Sequence, residues 1–228
     1  MQQEFFQQLR KAISHERLEA YQARSNADSE LLLAAHYAQN IALSESLYPA
    51  FQAIEIALRN SVHDTIAAAC KSEAWFEARF NILLPQELDA IEKARATLRR
   101  GNKDATPGRI MAELNFGFWT SLFDLRYEQR LWPLHLKTVL PYIPKTIRTR
   151  KIISSRMNRI RRLRNRVFHH EPIWYWQDLQ QQHFEILEAI GWVNSSMKSF
   201  ILTIDRFDNV ISHGYRFYED RLGQIESC

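Results

Sequence analysis

Apolar residues in this chain recur at the spacing of an α-helix almost from end to end, and that period limits the fold more than any other feature. The clearest case follows Pro49, where Phe51, Ile54, Leu58, Val62 and Ile66 share one stripe and predict a helix beginning near the proline. Residues 3–23 read as a polar amphipathic helix. A second helix runs through Leu31, Leu32, Ala35 and Ile41, with Asn26 or Asp28 as its N-cap. Trp75 to Phe80 reads as a short helix or turn, and Pro85 suits the first turn of a helix reaching about Arg100. Pro141 and Pro144 punctuate the approach to a long basic helix over about 146–167. Pro172 holds Glu171 to extended conformations, so that helix ends before it. Leu179, Ile186, Ile190 and Val193 mark a further amphipathic helix, and after about 212 the pattern fades into a tail. Only 6 Gly and 7 Pro in 228 residues leave little room for the frequent turns of an all-β chain. The clearest loop, Gly101 to Gly108, does not separate two compositions. The expectation is a single all-α domain spanning residues 1–228.

A hydrophobic share of 46% and a charged share of 25% are ordinary for a globular protein. Charge order is not. Residues 129–170 contain twelve Lys and Arg and no Asp or Glu, which sets a +12 block within a −8 remainder. Such segregation reads as an anion-binding surface. The 22 Arg outnumber 8 Lys, and the guanidinium fork grips phosphate by two bonds. Cys70 and Cys228 form neither a zinc spacing nor a disulfide framework, which points to a reducing compartment. The first residues lack the basic and then apolar regions of a signal peptide, and no apolar run approaches the ~20 residues that span a bilayer. A cytoplasmic protein without membrane contact is expected.

The segment Arg164-Asn165-Arg166-Val167-Phe168-His169-His170-Glu171-Pro172 closes the basic block. It holds what RNA cleavage without a metal or other cofactor needs. The ribose 2′-OH must lose a proton, the 5′-oxygen must gain one, and the phosphoryl oxygens become more negative. His169 suits proton transfer, as base toward the 2′-OH or as acid toward the leaving oxygen. Arg164 suits the phosphoryl oxygens. Asn165 lies four residues before His169, on the same face if the helix persists, and there orients either the imidazole or the phosphate. Five residues advance a helix by ~500°, so Arg164 and His169 point ~140° apart. They converge on one phosphate either by unwinding of the helix before Pro172 or by joining across two subunits. Arg156, Arg159, Arg161, Arg162 and Arg166 read as grips on backbone phosphates. His170 is a second proton carrier or a packing residue, and Glu171 pairs with Arg166 or steadies a histidine. The run His169-His170-Glu171 has no familiar zinc spacing, so no metal is expected. A purely structural reading has the histidines closing a helix and the arginines forming a solvated face.

An arginine followed at this distance by a histidine is weakly specific, since Arg10 to His15 and Arg130 to His135 also match. Requiring Asn or Asp directly after the arginine leaves, among these arginine–histidine pairs, only Arg164-Asn165. Arg164-Asn165-x-x-x-His169 resembles the ribonuclease motif of the HEPN superfamily of helical nucleases and nucleotide-binding proteins. The longer string to Ile173 resembles the Abi-like (abortive infection, AbiD/AbiF-type) family of bacterial phage-defence proteins. Three further segments agree with that family in order and approximate spacing: Leu43 to Pro49, Ile54 to Asn60, and Leu114 to Trp119. The similarity covers about residues 30–195 and shows no departure at the motif positions. It implies an HEPN-like helical bundle with additional helices, pairing as a homodimer whose two motifs face each other in a composite active site. It implies RNA as substrate, attacked during phage infection, and no metal. The family-like string also places Glu55, Arg59 and Asn60 together, either as a Glu55–Arg59 helix ion pair or as support for the site. Phe116, Phe118 and Trp119 either stack bases or pack a core. A toxic nuclease further calls for a restraint, a phage-derived trigger or an antitoxin, which no segment names. The alternative function is a catalytically inactive RNA- or nucleotide-binding module in phage defence.

Overall fold

The structure is a computed structural model that describes residues 2–25 and 27–225. The proposed cap Asn26 and the thiol of Cys228 lie outside the described residues. Within them the chain is all-α, with no strand. The helices are α1 (Gln2–Ile13), α2 (His15–Ser25), α3 (Glu30–Cys70), α4 (Pro85–Arg100), α5 (Pro107–Glu113) and α6 (Phe116–Ser121). They continue with α7 (Trp132–Val139), α8 (Arg150–Phe168), α9 (Leu179–Val193), α10 (Ser195–Leu202), α11 (Phe207–His213) and α12 (Arg216–Gly223). No helix among them is long and apolar enough to cross a membrane.

Four element boundaries correct the sequence reading. The helix expected over 3–23 is broken at Ser14, whose φ of 81° is left-handed. Its hydroxyl accepts from Arg17 N at 3.4 Å, so a residue inside one expected helix instead starts the next. The helices expected on either side of Pro49 are one, because α3 runs through the proline for 41 residues. Leu43, Leu47, Ala50, Phe51, Ile54 and Leu58 are all buried, and that unbroken stripe outweighs the one lost backbone bond. The segment after about 212, read as a fading tail, forms α12, which follows α11 across Gly214 at φ 62°. The basic helix begins at Arg150 rather than at 146.

Contacts gather into two compact units, each discontinuous in sequence. Unit 1 comprises Met1–Pro49, Leu163–Phe184 and Ile204–Cys228. Its core includes Leu18, Tyr21 and Leu33, with Tyr37 and Trp174 packed against them. The His36 ring stacks on Trp174 at 4.1 Å and lies 4.6 Å from Tyr215. His183 is buried between Phe207, stacked at 4.2 Å, and the Asp205 carboxylate at 2.8 Å.

Unit 2 comprises Ala50–Arg162 and Glu185–Thr203. Its largest buried side chains include Trp75, Trp119, Phe123 and Tyr127. Phe123 and Trp132 stack at 4.2 Å, and Trp132 Nε1 donates to Leu122 O at 2.7 Å. Glu87, in the first turn of α4, is 2% exposed and accepts from Ser121, Arg126 and Tyr127. Burial pushes the Tyr127 phenol well above its usual range, with the Glu87 hydrogen bond as the next cause. A buried carboxylate is tolerated only when so fully bonded. Phe116, Phe118 and Trp119 are buried in this unit, which makes them core rather than a stacking platform. Cys70 is a half-buried free thiol, its pKa raised by burial.

Candidate active site at the end of the basic helix

The motif occupies the last turn of α8 and the turn beyond it, all within unit 1. His169 N still donates to Asn165 O at 2.9 Å, so the helical ladder persists up to His169. Asn165 and His169 therefore share a face, and both are exposed. The chain then leaves the helix through a left-handed residue, His170, at φ 56°. His170 N donates to Val167 O at 3.0 Å and Glu171 N to Arg166 O at 2.8 Å, the two bonds of a Schellman closure. Such closures usually carry a hydrophobic contact between the outer pair. Here that pair is ionic, Arg166 to Glu171 at 3.0 Å.

The turn is anchored on three sides. Arg166 Nη2 also donates to Pro172 O at 3.1 Å, and its guanidinium lies 5.2 Å from the Trp176 ring centre. Arg17 on α2 donates to His170 O at 2.9 Å. Asn40 on α3, buried, accepts from Ile173 N at 2.7 Å and Trp174 N at 3.2 Å. The free carbonyls at a helix C-terminus present negative charge, which repels a phosphate. Backbone N–H groups take the Asn165, Arg166 and Val167 carbonyls, Arg17 and Arg166 bond those of His170 and Pro172 beyond them, and together these bonds lower that barrier.

Arg164 lies along the helix with its guanidinium 4.0 Å from the Phe168 ring centre, and Nη1 is 3.5 Å from Asn165 Oδ1. Tyr48, from the family-like string Leu43 to Pro49, places its ring 5.6 Å from Phe168. The structure thus brings Arg164, Asn165, Phe168 and Tyr48 together beside His169. Unwinding begins at His170, after His169, so it does nothing to turn Arg164 and His169 toward each other. Of the two routes to convergence on one phosphate, a single chain lacks the first.

The expected phosphate grips divide sharply. In unit 2, Arg156 bonds Glu185 O at 3.1 Å and Glu188 Oε2 at 2.6 Å, and lies 4.7 Å from the Trp192 ring centre. Arg159 bonds Glu185 Oε1 at 2.9 Å. Arg150 pairs with Glu128 at 3.0 Å. The carboxylates missing from residues 129–170 are supplied by α9 and by the residues flanking the block. Arg162 is exposed, and Arg161 is half-buried against a cavity described below. Arg59 Nε donates to Asn60 Oδ1 at 3.1 Å, and Glu55, Arg59 and Asn60 all belong to unit 2.

Arg17, Asn40 and Tyr48 are the residues that sequence reading did not single out. Arg17 and Asn40 meet the motif across 153 and 133 residues, and no local pattern encodes such pairings. Tyr48 stood in a family-like string but carried no chemical signal of its own. Among the described residues, no group of three His, Cys, Asp or Glu side chains is placed to hold a metal ion. Compared with known proteins, the chain matches no family model, no curated protein and no solved structure.

Proposed function

We propose that this protein is a metal-independent endoribonuclease of the HEPN, Abi-like kind, acting in bacterial phage defence as a homodimer. The observation that carries the reading is the exposed His169 on the same helical face as Asn165, one turn beyond Arg164, at a helix end whose last carbonyls accept from backbone N–H groups and whose following turn is bonded by Arg17 and Arg166. His169 exchanges the proton, as base to the 2′-OH or acid to the 5′-oxygen. The 2′-oxygen bonds to phosphorus as the bond to the 5′-oxygen breaks, leaving a 2′,3′-cyclic phosphate and a 5′-hydroxyl. Arg164 holds the phosphoryl oxygens, where a fixed cation gains most as charge develops. Asn165 orients the imidazole or the phosphate.

The Arg164 that serves a given His169 comes from the second copy of the chain. Among the arginines, Arg162 is the exposed grip for the flanking backbone. Purified protein incubated with bulk cellular RNA in EDTA tests the reading. Cleavage leaving 2′,3′-cyclic phosphate ends, lost in His169→Ala, is the expected result. RNA binding without cleavage by the unaltered protein would assign the same turn to recognition alone, and the enzymatic reading would fall.

A further inference from the structure

Unit 2 contains an open cavity of about 680 Å³, in the size range of small-molecule sites. Ala90 and Ala94 on α4, with Phe118 on α6, give it an apolar surface. Its lining carries three cations, Lys93, Arg126 and Arg161, and three carboxylates, Glu87, Glu113 and Asp124. Two of the cations are already satisfied. Lys93 pairs with Asp89 at 2.6 Å, and Arg126 with the buried Glu87.

Arg161 is different. Among the described residues it makes no ion pair and no hydrogen bond, although it is half-buried. Its stem passes Gly117 closely, with Cδ 4.0 Å from where a Cβ would stand. The Asn115 side chain spends its oxygen on Phe118 N at 3.0 Å, which leaves its amide N–H groups for another acceptor. A guanidinium that lines a cavity without a carboxylate of its own keeps its charge-assisted donors available to an anion. The lining as a whole is formally neutral, so nothing here draws in a polyanion.

We propose that this cavity binds a small organic anion with an apolar body. Arg161 and the Asn115 amide hold its charged group, and Ala90, Ala94 and Phe118 receive the rest. The inference does not depend on the nuclease reading, whose motif lies in unit 1.

Ligand-observed NMR and calorimetry on the full chain test it with 3-phenylpropionate, L-phenylalanine and phenyl phosphate. The neutral 3-phenylpropanamide is the control. The anions are expected to bind and the amide at least tenfold more weakly. Preference for L-phenylalanine over 3-phenylpropionate would select a zwitterion, and preference for phenyl phosphate a phosphate ester. Arg161→Gln is expected to weaken the anions at least tenfold, while Arg99→Gln, the same charge loss outside the cavity, leaves them unchanged. Ala90→Trp, which fills the space from the α4 wall and leaves the Arg161 charge in the chain, abolishes binding in a folded protein. Equal binding by wild type and Arg161→Gln, or no binding by any of the anions to folded wild type, would overturn the proposal. So would displacement of the probe by single-stranded RNA, since the cavity would then be part of an RNA path.

Discussion

His170 sits in the left-handed conformation that closes α8, a place where glycine is the usual residue. A side chain there costs about 1–2 kcal/mol of backbone strain, against about 0.5–1 kcal/mol of extra chain entropy lost by glycine. His170→Gly should therefore be neutral or stabilising by up to about 1 kcal/mol. His170→Val, β-branched at positive φ, should lose at least about 1 kcal/mol relative to it. Urea unfolding of the two variants measures the difference. If closing the turn is the whole role of His170, the glycine variant keeps its cleavage rate. His169→Ala should lose about 10²–10⁴-fold, the usual contribution of a proton-transferring side chain. Equal losses in both would mean that His170 also moves a proton. At this scale the sequence made the motif visible because Arg164, Asn165 and His169 are chemically distinctive and close along one helix. Arg17 and Asn40, which fix the turn in space, were not legible, because an arginine and an asparagine on amphipathic helices have many uses.

Helix α8 shows how far an element's composition can mislead. Read alone it is a strip of cations. Folded, Arg156 and Arg159 turn to Glu185 and Glu188 on α9, and Arg150 to Glu128. Charge segregation along a chain does not survive folding when the missing carboxylates arrive from another helix. Arg156→Met should thus act on stability, with a loss of about 1–3 kcal/mol, because it removes the charge-assisted bonds to Glu188 and to the Glu185 carbonyl while Arg159 still holds the Glu185 carboxylate. Its effect on the salt dependence of RNA binding should be small. Arg162→Met should do the reverse, leaving the unfolding midpoint in place and lowering the salt slope by about one phosphate contact. Titrations of RNA binding at several salt concentrations, paired with urea melts, decide both. The same competition between local and distant terms explains the boundaries. Helices α4 and α9 were legible because period and Pro85 agree. Pro49 argued locally for a boundary but was outvoted by a continuous buried stripe, whereas Ser14 was unremarkable until its hydroxyl capped α2. Helices α11 and α12 are short, and their strongest anchor, Phe207 on His183, is a long-range contact.

For the whole molecule, two titrating groups and one symmetry question carry the remaining tests. Burial lowers the pKa of both His36 and His183 from the ordinary histidine value, the largest cause in each case. Folded, these rings stay neutral at a pH where the unfolded chain takes up protons. Stability from them is complete above about pH 6.5 and is lost as pH falls from there through the depressed folded values. The unfolding midpoint should fall between pH 7.5 and 5.5, and His36→Phe should flatten that slope; an unchanged slope would remove His36 from the account. The symmetry question bears on catalysis. Since the helix stays wound up to His169, Arg164 and His169 leave it about 140° apart, and the proposed nuclease brings them onto one phosphate by pairing two chains. Co-expression of Arg164→Ala with His169→Ala, each inactive alone, separates the two arrangements. A mixed dimer with composite sites has one site in which both residues are altered and one in which both are intact. Differentially tagged and purified, it should cleave at about half the wild-type rate per dimer, the outcome expected of a symmetric dimer with isologous pairing. If each site is built from one chain, both sites in the mixed dimer lack a residue and cleavage stays at the level of the single variants. Activity of an obligate monomer would have the same meaning, and either result would return the search to a local rearrangement around Phe168 that lets Arg164 swing past its ring.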